Sequence, residues 1–436
     1  MKLLQTNKRA ARWMRLAAII IGISVFQIGS IPAIEAEPRF HPDEQAAFIR
    51  GGALWDKTNE RERQLTEAGI TARNPAWSSD GRYIAYTRGE DERGLWLLER
   101  QSGKSHLAAP DGGRQFQWSP LHNQLAYSKE EKLFVVGVEE GAEPIEVASA
   151  IGSFSWLPDG SGFLVSSAAE LLPDGWTPVV ISRILLQPGS ADPVQSEQLH
   201  VLPKQINELI VVGTSRFKWS ASGRWIAFLA MPTASLSADS NTLCVLSADG
   251  KQLITLDQMA KNEQWFQWSP AGDRLASERL AYIGGIGREA VSNKQLIVTA
   301  IPELRKVNYT PAGFVDQSLA WYGNREIIVS RAKAQAWSSN PQLRSRPFLT
   351  IVHTGSEGQR RITKPAAGWG DYNPVSLSAS SLSWVRSNRE SADVMLAAAS
   401  GGLHAVPWIK KIDLGTNFYE QWNWEPVLQF YVKPQK

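Results

Sequence analysis

Trp77-Ser-Ser-Asp-Gly-Arg-Tyr-Ile-Ala-Tyr86 is a word that this chain repeats. It returns as Trp118-Ser-Pro-Leu-His-Asn-Gln-Leu-Ala-Tyr127, Trp156-Leu-Pro-Asp-Gly-Ser-Gly-Phe-Leu-Val165 and Trp219-Ser-Ala-Ser-Gly-Arg-Trp-Ile-Ala-Phe228. It returns again as Trp268-Ser-Pro-Ala-Gly-Asp-Arg-Leu-Ala-Ser277 and, eroded, as Trp321-Tyr-Gly-Asn-Arg-Glu-Ile-Ile-Val-Ser330. The steps between tryptophans are 41, 38, 63, 49 and 53 residues. A unit of that length, sometimes carrying extra loop, is the mark of a radial or stacked repeat fold.

Within the unit, Ser79-Asp80-Gly81 separates two short apolar runs. Asp and Gly tolerate positive φ, so the stretch reads as a tight hairpin. A third apolar run follows in each unit, such as Leu95-Trp-Leu-Leu98, Leu133-Phe-Val-Val136 or Leu243-Cys-Val-Leu246. A turn and a fourth run, such as Gln252 to Thr255 or Arg361 to Thr363, complete it. Four antiparallel strands per unit predict an all-β propeller of four-stranded blades.

These residues, Trp-Ser-Pro-Asp-Gly followed by an Ile-Ala-Phe-like strand and a Leu-Thr or Ile-Thr end, resemble the repeats of the TolB-like β-propeller family over about residues 54 to 385. The resemblance implies a scaffold or interaction role. The same repeat also occurs in the propeller domains of prolyl oligopeptidase-like peptidases, so it speaks for fold more than for function.

Blade count is read from the two ends. Asn373-Pro374 matches Asn74-Pro75 and opens a degenerate seventh unit in which Ser376 stands at the Trp position. Gly52-Ala-Leu-Trp55 and Arg63-Gln-Leu-Thr66 read as third and fourth runs that complete that last blade, which closes the ring and leaves no open edge. Seven blades are expected, six being the alternative. The aromatic tail Phe418 to Val432 has no place in this scheme beyond docking on the ring.

Residues 1–36 read separately. Lys2, Lys8, Arg9, Arg12 and Arg15 precede the apolar run Leu16 to Phe26 and a small-residue end at Ala36, which is the layout of a secretory signal or an N-terminal membrane anchor. The propeller and its tail would then occupy residues 37–436, exported to the cell envelope, periplasmic or extracellular. Without the leader, 41 basic residues face 42 acidic ones, so global charge gives no reason to expect nucleic-acid binding. Cys244 is the only cysteine and lies in an apolar run, so no intramolecular disulfide is available and core burial must hold the fold.

The chemical inventory is thin. Six scattered histidines include no i, i+4 pair, and no Gly-x-Ser-x-Gly elbow is present. Asp80, Asp159 and Asp273 are explained by their turns, and no cofactor or metal is expected. The repeated tryptophans read as packing between blades. The expectation is a protein without catalytic activity that binds a protein or a cell-envelope polymer.

The loops between second and third strands should share one face with the blade-to-blade connections. They lengthen at Ala168 to Pro178, Ala230 to Asn241, Glu278 to Asn293 and Arg331 to Pro347, whereas the hairpin turns of the other face stay short. Long loops tend to carry function. Candidate partner-binding residues there are Trp176, Glu278, Arg279, Tyr282, Arg331, Lys333, Trp337, Arg344 and Arg346, with Trp369 and Tyr372 on the connection into the last blade. The alternative reading is a hydrolase or lyase acting on envelope polysaccharide, with Glu170, Asp174 and Glu278 near the channel mouth.

Overall fold

The Asp-Gly turn is built as its sequence demands. Asp80 Oδ1 accepts hydrogen bonds from Ser78 Oγ at 2.8 Å and from the Arg82 amide at 2.9 Å, and Gly81 takes a φ of 71°. Trp77 is thereby placed opposite Ile84, and Trp118, Trp156 and Trp219 face Leu125, Phe163 and Ile226 at the same spacing. In this computed structural model the described residues are 44–432, apart from 114, 188–191, 234–239, 271–277, 288–292, 337, 357, 399–403 and 419–420. The predicted leader lies outside them.

The hairpins grow into blades of four antiparallel strands, and among the described residues there are eight such sheets, not seven. Their inner strands, for blades 2 to 4, are Arg73–Trp77, Phe116–Trp118 and Ile151–Trp156. Blade 5 has an inner strand in two pieces, Gly213–Thr214 and Lys218–Trp219, and blades 6 to 8 begin with Phe266–Trp268, Phe314–Tyr322 and Gly370–Ser378. The extra blade is the N-terminal segment. Ala53–Thr58 and Arg61–Gln64 are third and fourth strands as expected, but they belong to a blade of their own. Gln45–Arg50 is its second strand, and Leu428–Tyr431 from the aromatic tail is its innermost.

Both chain ends therefore close the ring, and the tail is a strand of it. Asp413, leaving blade 8, accepts the Gly51 and Gly52 amides at 2.7 and 2.9 Å, which ties the last blade to the first.

Second and third strands are buried on both faces because each sheet packs on two neighbours, which is why they read as continuous apolar runs. Trp225–Met231 is buried over its first six residues, Cys244 among its neighbours, where burial pushes the thiol pKa up to about 12.

The repeated tryptophans latch blade to blade. The indole N–H of Trp118 donates to Ala76 O of blade 2 at 2.9 Å, and Trp156 donates to Gln117 O of blade 3 at 3.1 Å. Trp268 reaches Lys218 O at 2.9 Å, Trp321 reaches Gln267 O at 3.0 Å, and Trp77 reaches Gln429 O of blade 1 at 3.1 Å. A second tie runs the other way where the residue before the Trp has a long polar side chain. Gln117 Nε2 donates to Phe154 O at 2.8 Å and Gln267 Nε2 to Leu319 O at 3.0 Å. Among the described residues the backward latch lapses at Trp219, whose buried indole nitrogen has no partner, and at Ser376 and Phe430, which have no indole.

Candidate functional site

Each inner strand has a sheet partner on one side only, so its other edge is turned inward, where side chains take part of it: Phe154 O and Phe266 O accept from Gln117 and Lys218, and the Phe217 N–H donates to Ser155 Oγ. Those edges surround a cavity of about 680 Å³ lined by the inner strands of blades 1 to 5 and by the connections that hold Lys261, Glu263 and Glu425. The walls are mostly neutral: Gln115, Gln117, Ser153 and Thr214 alternate with Phe116 and Phe154. On the side of blades 7 and 8 the tail intrudes. Trp422 and Trp424 stack at 5.1 Å and lie 6.0 and 6.3 Å from the Tyr372 ring, so the hairpin Thr416–Phe418 and Gln421–Asn423 is wedged over the inner strand of blade 8.

One charge cluster stands in this cavity. The inner strand of blade 5 is interrupted between Thr214 and Lys218, and the interruption carries Arg216 inward. Glu263, from the connection between blades 5 and 6, accepts from Arg216 Nε at 2.5 Å and from its backbone N–H at 3.2 Å. Glu425, just before the tail strand, approaches Arg216 Nη2 at 3.6 Å from the other side of the ring.

Lys218 stands where blades 3 and 6 have Gln, and it makes the same forward tie, Nζ to Phe266 O at 3.0 Å, besides bonding Glu263 O. Burial lowers its pKa to about 8, against the pull of Glu263 and Glu425. For Glu263, burial pushes the carboxyl upward, but Arg216 outweighs it and the net shift is downward, so near neutrality the group is an anion and not a proton donor. Lys261, exposed at the mouth, has neither a hydrogen bond nor an ion pair among the described residues.

Several residues expected on long loops lie elsewhere. Glu278, Arg279 and Tyr282 belong to the strand Glu278–Gly284, because Trp268 pairs with Leu280, twelve residues on instead of seven. The hairpin of blade 6 is therefore long, contrary to the expectation of short turns on that face. Glu278 pairs with Arg224 at 3.3 Å and with Ser222 in the hairpin of blade 5, and Arg279 lies over the Trp321 ring at 5.3 Å. Tyr282 is fully buried with its hydroxyl 3.2 Å from Asp257, and burial raises its pKa.

Arg331 is locked in a buried bidentate pair with Asp316 at 2.7 and 2.8 Å, and Tyr372 is core. Arg344 donates to Ser338 O at 2.7 Å and Arg346 to Asn388 O at 3.2 Å, so the basic loop uses its guanidinium groups to brace itself. Trp176, Lys333 and Trp369 are partly or fully exposed on the connection face, whereas Trp337 lies outside the described residues. Glu170 and Asp174 are exposed on the hairpin inserted into blade 4, away from Glu278 at the opposite end of its blade, so those three carboxylates do not converge.

The assembled groups, Arg216, Lys218, Glu263 and Glu425, escaped the sequence reading, which took Trp as a repeat marker and packing residue and did not compare the residues beside it. A signal was present. Phe116-Gln-Trp118, Phe154-Ser-Trp156, Phe217-Lys-Trp219 and Phe266-Gln-Trp268 share a Phe-x-Trp word in which only blade 5 places a charge at x. Leu428-Gln-Phe430 is the same word weakened, and it identifies the tail as an inner strand.

No protein-family model matches the chain, and no curated protein matches it. Solved structures do. TolB from Acinetobacter baumannii matches with 16% identity over 61% of this chain and 63% of its own, at a TM-score of 0.37. A puromycin hydrolase matches with 13% identity over 81% of this chain and 55% of its own, at a TM-score of 0.50. An oligogalacturonate lyase from Vibrio parahaemolyticus matches with 12% identity over 82% and 97%, at a TM-score of 0.43. The chain thus spans less than two thirds of the TolB structure and about half of the hydrolase.

Since an enzyme is among these matches, the expectation of a protein without catalytic activity is corrected: a hydrolase shares the fold, so the fold and the missing nucleophile elbow do not exclude catalysis. The matches favour neither binding nor catalysis. The eight blades give the chain the β-propeller fold, and the match to the puromycin hydrolase agrees with it.

Proposed function

We propose that the protein is an exported propeller that binds a segment of a protein or of a cell-envelope polymer at the connection-face mouth of its channel. The observation that carries this reading is the Arg216 cluster, which concentrates charge at the end of an otherwise neutral cavity. The same face gathers apolar side chains left in solvent: Leu171, Leu172, Ile210, Ile286, Leu343 and Phe418 all stand on its loops or connections. Exposed apolar groups beside a polar pocket are what a recognition surface needs, anchors around a specific centre. Trp176, Lys333 and Trp369 extend the surface at its rim. Export rests on the composition of residues 1–36.

A crosslinking pull-down from envelope fractions tests it. Recovery of the partner should fall at least tenfold with Arg216→Gln and by less with a Trp176→Ala, Lys333→Gln double change. Equal recovery from wild type and Arg216→Gln contradicts the proposal.

A further inference from the structure

We propose that Arg216 is the receptor for a carboxylate of an acidic peptide segment, and that Glu425 of the tail occupies that receptor in the free protein. This inference rests on the channel-mouth reading above and names the chemistry of its ligand.

The two carboxylates at Arg216 are not equivalent. Glu263 holds Nε and the backbone amide at 2.5 and 3.2 Å, which fixes the side chain from behind. Glu425 stands 3.6 Å from Nη2, outside normal hydrogen-bond range, with side-chain exposures of 46% for Arg216 and 44% for Glu425. A wetted ion pair at that distance contributes little. A carboxylate that reached a guanidinium edge with two parallel hydrogen bonds would bind it better. Glu425 is thus a weak occupant of a site that a free carboxylate fills more strongly.

The surroundings agree. Among the charged residues lining the cavity, displacing Glu425 leaves Arg216, Lys218 and Lys261 against Glu263 alone. The hairpin that precedes Glu425 is held on one side by the Trp422, Trp424 and Tyr372 stack. On its other side a cleft of about 310 Å³ separates it from Lys261 and Asn262. Trp424 and Val427 on either side of Glu425 are fully buried and hold its backbone, so only the half-exposed Glu425 side chain need turn away from Arg216, and no core is broken. The occupant is a peptide because the cavity wall beside Arg216 includes the inner strands of blades 2 and 3, which have no strand partner on the channel side and offer an extended backbone an edge to lie along.

The probe is a fluorescein-labelled hexaglutamate peptide, read by fluorescence anisotropy on the full chain, with hexaglutamine as the neutral control. Glu425→Gln should tighten hexaglutamate binding about tenfold, Arg216→Lys should weaken it about tenfold, and hexaglutamine should not bind. Glu425 is half-exposed, so Glu425→Gln decides the question even where an Arg216 variant folds poorly. Unchanged or weaker binding by Glu425→Gln overturns the inference. Displacement of the probe by trigalacturonate at lower concentration than by unlabelled hexaglutamate overturns the peptide assignment. Failure of the inference alone leaves envelope partner recovery still dependent on Arg216, whereas failure of the channel-mouth reading removes that dependence as well.

Discussion

The inner strands of blades 3 and 5 carry nearly the same word, Phe116-Gln-Trp118 and Phe217-Lys-Trp219, and do different things with it. In blade 3 the Gln side chain ties forward to Phe154 O and the indole ties back to Ala76 O, so every polar group is spent on holding neighbours. In blade 5 Lys218 makes the forward tie while adding a charge, the backward tie is missing, and the strand is broken to admit Arg216. Blade 3 is framework. Blade 5 is framework altered at a few positions, and the two that add charge, Arg216 and Lys218, line the channel.

Four substitutions would break or sharpen that contrast. Trp118→Ala should lower unfolding free energy by about 3–5 kcal/mol, since it removes a packed ring and its latch. Trp219→Ala should cost about 1 kcal/mol less than Trp118→Ala, because no hydrogen bond is lost with its ring. Chemical denaturation of the two variants side by side gives the comparison, and equal costs would mean that the missing latch is of no consequence.

Gln117→Lys carries the charge of blade 5 into blade 3, where no carboxylate waits. It should destabilise by about 1–3 kcal/mol, the cost of burying a polar group poorly matched to its site. Little or no loss would show that the Glu263 contact is not what makes Lys218 tolerable.

Lys218→Gln, the reverse change, should have the smallest effect on stability, and its sign depends on pH. The folded pKa of about 8 lies below the ordinary lysine value, so the folded state binds fewer protons than the unfolded one between them. Lys218 therefore weakens the fold fully below about pH 8, and that cost fades as pH rises toward 10.5. Thermal unfolding should show Lys218→Gln gaining on wild type at pH 7 and losing that advantage by pH 10; a gain that grew with pH would reverse the assignment.

Much of the fold was legible because its framework is periodic. A hairpin closed by Asp80-Gly81 and a Trp packed between blades are local demands, repeated often enough to read without a structure. The misreadings occur where periodicity competes with itself. Arg274-Leu-Ala276 and Arg279-Leu-Ala281 are the same word five residues apart, and the strand forms on the second, which moves Glu278, Arg279 and Tyr282 from loop to sheet. The eighth blade went uncounted because its inner strand comes from the opposite end of the chain, a partner that no local pattern announces.

Candidate site residues fared worse for a physical reason. Residue type and loop position do not distinguish an exposed cation from a buried one: Arg331 is 4% exposed against a fully buried Asp316, whereas Arg216 is 46% exposed beside two carboxylates. Only the geometry separates an arginine sealed inside the fold from one whose side chain is half in solvent.

Blade 3 offers the most direct test, because it has an exposed residue at each end. Gln115 lines the channel at the connection face, and Leu121 sits 58% exposed on the hairpin of the opposite face. A photoreactive amino acid placed at either position in cells expressing the full chain should give a discrete crosslinked species from Gln115 that is lost with Arg216→Gln, and none from Leu121. A partner captured from Leu121 and not from Gln115 would contradict the channel mouth as the site.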